Sequence, residues 1–146
     1  MTDVKSHGLT GRLHAVVWID HHEARIARFD GEVSQATQHT IRADHSPAHL
    51  HHKANSNGSG HAQVDAAYLE RVAADISDAR AILIVGPASA KHELYTHITQ
   101  RHPALVPHVM GVETLDHPTP GELLAHAARS LLAAERMGRP YSPDRT

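Results

Sequence analysis

The chain has 146 residues and no cysteine. Disulfides, thiolate catalysis and cysteine-ligated zinc are excluded at once. Aromatic residues are scarce, with a single Trp and a single Phe, which argues against a stacking platform for single-stranded nucleic acid. No apolar run approaches the length of a membrane span, and residues 1–11 carry no signal-peptide core, so a soluble cytoplasmic protein without a membrane partner is expected. Charge of one sign is missing too. Fourteen basic residues against 16 acidic ones leave a formal net charge of −2, which provides no electrostatic footprint for wrapping a phosphate backbone. Any contact with ribosomal RNA must then be a local patch. Histidine is abundant, with 16 residues. It changes the charge only below neutrality, because a free imidazole titrates near pH ~6.5. The 40% hydrophobic content falls in periodic blocks, and a chain this long can bury a real core as one domain.

The period of those blocks orders the elements. His14 to Asp20 (HAVVWID) is a continuous apolar run, consistent with a strand buried on both faces. Glu23 to Phe29 (EARIARF) alternates charged and apolar residues and reads as a second strand. Asp30-Gly31 is a hairpin signal, which places a third strand within Glu32 to Arg42. Residues 44–61 are rich in Ser, Asn, Gly and His with hardly an aliphatic among them. A loop of that length in a compact domain is functional or disordered. Leu69, Val72, Ala73 and Ile76 then share one helical face. A short strand, Ala81 to Val85, ends in Gly86-Pro87, and Ser89 is placed to cap a second helix with Leu94 and Ile98 facing inward. A strand near Val109 to Thr114 follows. Thr119-Pro120-Gly121-Glu122 is a capping box with Pro at the first helical position, and Gly138 and Pro140 end that last helix.

The order β-β-β-α-β-α-β-α predicts an α/β domain of ribonuclease-H-like topology, a mixed five-stranded sheet with three helices packed on it. The domain is expected over 13–138, with a flexible N-terminus at 1–12, an exposed loop at 44–62 and a frayed tail at 139–146.

Four stretches, VWIDHHEARI, HHK, ILIVGPASAKHEL and GVETLDHPTPGELLAHA, resemble the small bacterial proteins labelled translational machinery proteins. These in turn are similar to the middle domain of eukaryotic and archaeal class-1 peptide-release factors and of Pelota. The resemblance runs from about Ala15 to Ala128. It implies that residues 51–63 correspond to the loop that carries Gly-Gly-Gln in release factors, whose glutamine promotes hydrolysis of peptidyl-tRNA. Gly58-Ser59-Gly60-His61 stands about where the tripeptide would be, and Gln63, the nearest glutamine, follows Ala62. Gly-Gly-Gln occurs nowhere in the chain. What the resemblance implies is therefore a translation-linked, ribosome-associated binding domain without cofactor, rather than a terminator of translation. Its partner would be the ribosome or a translation factor, reached through His51, His52, Lys53, Asn57, Gly58, Gly60 and His61.

The residues suggest other chemistries as well. With the first, fourth and fifth strands parallel, their carboxyl ends form the edge where open α/β sheets bind ligands. Asp20, Gly86-Pro87, Glu113 and Asp116-His117 fall at or near those ends. An enzyme reading makes Asp20, Glu113 and Asp116 ligands for magnesium or manganese in a hydrolase or nuclease. The competing reading has Asp20 cap the hairpin and Asp116 start the turn before Pro118, and it is favoured because Asp20 stands at the end of its strand. A zinc reading uses His51, His52, Asp116 and His117, though adjacent histidines in a strand face opposite ways and no HExxH occurs. Gly86, Pro87, Ser89 and Lys91 form a strand-to-helix turn of the kind that can hold an anion, although the spacing is neither a P-loop nor a dinucleotide fingerprint. No serine lies in a nucleophile motif. Arg25, Arg28, Arg42 and Lys53 are the candidates for an RNA patch, with Arg28 and Arg42 expected to share a face. The composition leaves the oligomeric state open.

Overall fold

The computed structural model describes residues 13–30, 35–43 and 65–143. In chain order the elements are β1 (His14–Ile19), β2 (Glu23–Phe29), β3 (Thr37–Arg42), α1 (Ala66–Asp75), β4 (Ala81–Gly86), α2 (Ala90–Arg101), a 3-10 helix (Pro103–His108), β5 (Val109–Thr114) and α3 (Pro120–Met137). They form one five-stranded sheet in the order β3-β2-β1-β4-β5. Strand β1 pairs antiparallel with β2 and parallel with β4, β2 pairs antiparallel with β3, and β4 pairs parallel with β5. The expected α/β architecture, a mixed five-stranded sheet with elements in the order β-β-β-α-β-α-β-α, is the one observed.

Burial follows position in the sheet. Every residue of β1 and of β4 is buried, because these central strands are covered on both faces, and that is why they read as unbroken apolar runs. Strand β2 mostly alternates, and β3 at the edge is almost wholly exposed and polar, which blunts an otherwise open edge. Ala15, Val17 and Ile19 face α1 and α2 in a core with Tyr68, Val72, Leu94 and Ile98. Val16 and Trp18 face α3, meeting Leu123, Ala127 and Leu131.

The helix ends obey local chemistry unevenly. In α3 the Thr119 side chain accepts from the Glu122 N–H at 3.1 Å and Glu122 Oε1 accepts from the Thr119 N–H at 2.9 Å, closing the capping box. Gly138 ends the helix at φ 73, a left-handed residue that costs little only for glycine. Thr119→Ala should lower stability by about 1 kcal/mol, read as a fall in the urea midpoint with an unchanged slope. Helix α1 is capped by Asp65, whose side chain accepts from the Ala67 N–H at 3.3 Å. Ser89 does not cap α2 with its side chain. It sits in helical conformation, which turns the hydroxyl away from the first N–H groups, and it donates instead to Glu93 Oε2 at 3.1 Å.

Two features depart from the sequence reading. The stretch between α2 and β5 forms the 3-10 helix, opened by Pro103. The C-terminal residues were expected to fray, yet the Tyr141 N–H donates to the Val109 carbonyl at 2.8 Å and its ring meets Tyr95 edge-on at 5.0 Å. These contacts hold Tyr141; residues 144–146 of the tail lie outside the described residues. The expected flexible terminus 1–12, the whole of the loop 44–62 and Gly31 of the hairpin turn lie outside the described residues.

Candidate functional site: the carboxyl edge of the sheet

The carboxyl ends of β1, β4 and β5 lie on one edge, as parallel pairing requires. Strand β3 ends there too, since Glu23 is opposite Arg42. The chain leaves this edge at Ala43 and returns at Asp65, and the described flanks of that excursion are fastened to the edge. The Ala43 N–H donates to the His22 carbonyl at 2.9 Å, and Arg71 donates to the Arg42 carbonyl at 2.7 Å. Tyr68, buried, donates from its hydroxyl to the Asp20 carbonyl at 3.1 Å. Burial, reinforced by Asp20 and Glu23, pushes the Tyr68 phenol far above its ordinary value, so it stays a donor.

Asp20 organises the turn itself. Its Oδ1 accepts from the backbone N–H groups of His22 and Glu23 at 2.8 and 2.9 Å. That is a turn-capping carboxylate, with one oxygen spent on backbone donors. On the other face Trp18 donates from Nε1 to the carbonyls of Asp116 at 2.7 Å and Leu115 at 3.2 Å. Its ring lies under the Arg25 guanidinium, 4.8 Å from the centroid, and beside the His117 ring at 5.2 Å. The buried indole thereby ties the segment after β5 to β1.

The candidates for metal or acid–base work are held separately. Glu113 meets His126 Nε2 at 2.6 Å, and the Asp116 carboxylate, largely in solvent, meets His117 Nδ1 at 3.0 Å. Among the described residues, Asp20, Glu113 and Asp116 do not form a group with ligand atoms within 4.8 Å of one another. Asp116 and His117 could supply only part of the zinc set, since His51 and His52 lie outside the described residues. Ser130 Oγ stands 3.4 Å from His126 Nε2, the same nitrogen that meets Glu113. A nucleophile relay needs opposite ring nitrogens, so this trio is not one.

At the Gly86-Pro87 turn Gly86 is set by close approach. A Cβ there would collide with the Ile19 carbonyl oxygen, which explains glycine without invoking a ligand. Lys91 is buried, donates to the Ala88 carbonyl, and has its ammonium pushed down by burial. Its side chain folds back over the turn.

The basic patch divides differently from the sequence expectation. Arg25 and Arg42 share a face through Glu23, which binds Arg25 Nε at 3.1 Å and Arg42 Nη1 at 2.9 Å. Arg28 is on the opposite face, where it donates to the Asp75 carbonyl at 2.6 Å and pairs with Asp78 at 2.8 Å. The expected sharing between Arg28 and Arg42 fails because both strands alternate and Arg42 is opposite Glu23, an odd number of residues from Arg28. Lys53 lies outside the described residues, as do His51, His52, Asn57, Gly58, Gly60 and His61.

No protein-family model and no curated protein matches the chain. Its backbone does have counterparts. The fold is shared with Pelota. Pelota of Archaeoglobus fulgidus superposes with a TM-score of 0.59 at 12% identity, over 87% of this chain and 33% of that one. Pelota of Thermoplasma acidophilum gives 0.53 at 16% identity, over 91% of this chain and 41% of that one. The archaeal translation termination factor aRF1 gives 0.49 at 10% identity, over 86% of this chain and 38% of that one. The chain thus spans well under half the length of these proteins.

Proposed function

We propose that the chain is a translation-linked binding domain that associates with the ribosome or with a translation factor, using the segment 44–62 as its contact. The observation that carries this reading is the double anchoring of that segment. Ala43 and Arg42 on one side, Tyr68 and Arg71 on the other, are bonded to the same carboxyl edge. Bonds on both flanks fix the two ends of the segment at one place on a rigid scaffold, the kind of setting in which binding residues are commonly carried. The resemblance to release-factor middle domains and to bacterial translational machinery proteins supports a translational partner, and the fold shared with Pelota agrees with it. The absence of Gly-Gly-Gln from the sequence points to binding rather than peptide release. Arg25 and Arg42, already neutralised in part by Glu23, provide at most a small cationic contribution to an RNA contact.

Sucrose-gradient sedimentation of cell lysate tests the reading. The chain is expected to travel with ribosomal particles. A variant with residues 45–61 replaced by a short Gly-Ser linker should remain at the top of the gradient, with its circular dichroism unchanged. Equal co-sedimentation of the two proteins would remove the segment from the contact. Failure of the intact chain to enter the ribosomal fractions would defeat the proposal as a whole.

A further inference from the structure

On the outer side of the helical layer, Glu70 of α1 faces two imidazoles from the end of α2. His97 Nε2 stands 2.8 Å from Glu70 Oε1, and His102 Nε2 stands 2.9 Å from Oε1 and 3.0 Å from Oε2. These three are the only acid or imidazole group among the described residues whose ligand atoms all lie within 4.8 Å of one another. We propose that Glu70, His97 and His102 form a binding site for a divalent transition ion of the zinc class, with three protein ligands and one open position.

The backbone explains how they converge. Residues five apart on a continuous helix lie about 140° apart around its axis, so His97 and His102 would not share a face on an unbroken α2. Pro103 disfavours helical conformation at the residue before it. His102 leaves the helix at φ −137, ψ 57, and its ring comes within 6.0 Å of the His97 ring. Leu69, on α1 beside Glu70, is buried in the same core as Leu94 and Ile98 of α2, so Glu70 and His97 stand on a packed pair of helices, with His102 at the end of the second.

The donor set fits the ion. Two imidazoles and a carboxylate are ligands for a borderline ion, in a three-ligand set that leaves a place for water or another group. A tetrahedral zinc ion holds neighbouring ligand atoms about 3.3 Å apart, given bonds near ~2.0 Å. The nitrogen-to-oxygen separations of 2.8 and 2.9 Å to Glu70 Oε1 need to open by only a few tenths of an ångström. Without metal, both Nε2 atoms can meet Glu70 only as protonated donors. One dication replaces those protons and satisfies all three ligands together. Hydrogen bonds with the His97 and His102 rings hold the Glu70 carboxyl below its usual range. His97 is 11% exposed and His102 24%, enough shielding to order the rings while leaving access. Ala66, Ala67 and Arg101 form the rest of the cleft. The alanines add little bulk to that cleft, and Arg101 adds a cation to its wall.

The test uses the full, untagged chain with imidazoles labelled for NMR, titrated with zinc chloride at neutral pH. The first equivalent should shift the His97 and His102 ring signals. Separate competition titrations against a chromophoric chelator should show Glu70→Gln and His97→Ala each weakening the tightest site. The weakening should exceed the ~10–100-fold that follows loss of an outer-shell partner. If the first equivalent shifts other histidines and leaves His97 and His102 unmoved, the proposal is overturned. The same holds if both variants keep wild-type affinity. The NMR measurement needs no variant, so a substitution that disturbs folding does not blunt it.

Discussion

Gly86→Ala is expected to destabilise the protein by about 3 kcal/mol, lowering the melting midpoint by roughly 10 °C. The cause is a backbone-to-backbone approach. Gly86 closes β4 directly alongside Ile19 at the end of β1, and an added Cβ would press into the Ile19 carbonyl oxygen. A flexible side chain could swing aside, but a carbonyl in a parallel ladder cannot move without parting the two central strands. The Gly86 carbonyl also accepts from the Leu115 N–H at 3.0 Å, so the disturbance passes to the segment that Trp18 holds. Gly121→Ala is the control. Nothing stands within 4 Å of a Cβ at that position, and alanine is the better helix former, so the change should be neutral or stabilising by up to ~1 kcal/mol. Urea unfolding followed by circular dichroism reads both. A Gly86→Ala protein as stable as wild type would mean that β1 and β4 do not approach as described.

Trp18→Ala should cost about 3–5 kcal/mol, the range for removing a large aromatic from a core. The indole is 1% exposed and packs in the core formed with α3. Its loss opens a cavity and also frees the Asp116 and Leu115 carbonyls that it now holds. Trp18→Phe separates the two effects. It keeps most of the apolar packing and removes the donor, so its cost should be smaller and should fall on the edge. Hydrogen exchange is the measurement: amides of residues 115–117 should lose protection in Trp18→Phe while those of α1 keep theirs. Uniform loss across the sheet would show that the indole acts as core filler alone. The chain has one tryptophan, so wild-type fluorescence reports on this edge directly.

Both substitutions bear on the proposed function because both positions shape the edge where the described chain breaks off at Ala43 and resumes at Asp65. Asp20, Tyr68 and Arg71 fasten one side of that edge, while Trp18 and Gly86 fasten the other. A ribosome-binding defect in Trp18→Phe, at a temperature where the protein is fully folded, would indicate that the partner reads the whole edge.

The element order was legible because period and polarity are local properties. His14 to Ile19 and Ala81 to Val85 are apolar throughout, as strands covered on both faces must be. The Thr119 box and Gly138 marked the ends of α3 through bonds that span only a few residues. Asp20 was readable as a turn cap for the same reason. The parallel arrangement of β1, β4 and β5 followed from the handedness of crossovers, and with it the edge where their carboxyl ends meet.

Other features needed the tertiary structure. Nothing local in the sequence joins Trp18 to Asp116 or Tyr141 to Val109, because those bonds link residues far apart in the chain. Strand register placed Arg42 with Arg25 instead of Arg28, and a register cannot be read from one strand alone. Glu70, His97 and His102 carry no motif spacing. Their meeting depends on two helices packing side by side and on α2 ending just before Pro103. What the amino-acid order determined by itself was therefore the set of elements and their caps, since short-range bonds and periodic burial decide them. Which side chains converge was decided only by packing, because convergence is a property of surfaces brought together from distant parts of the chain.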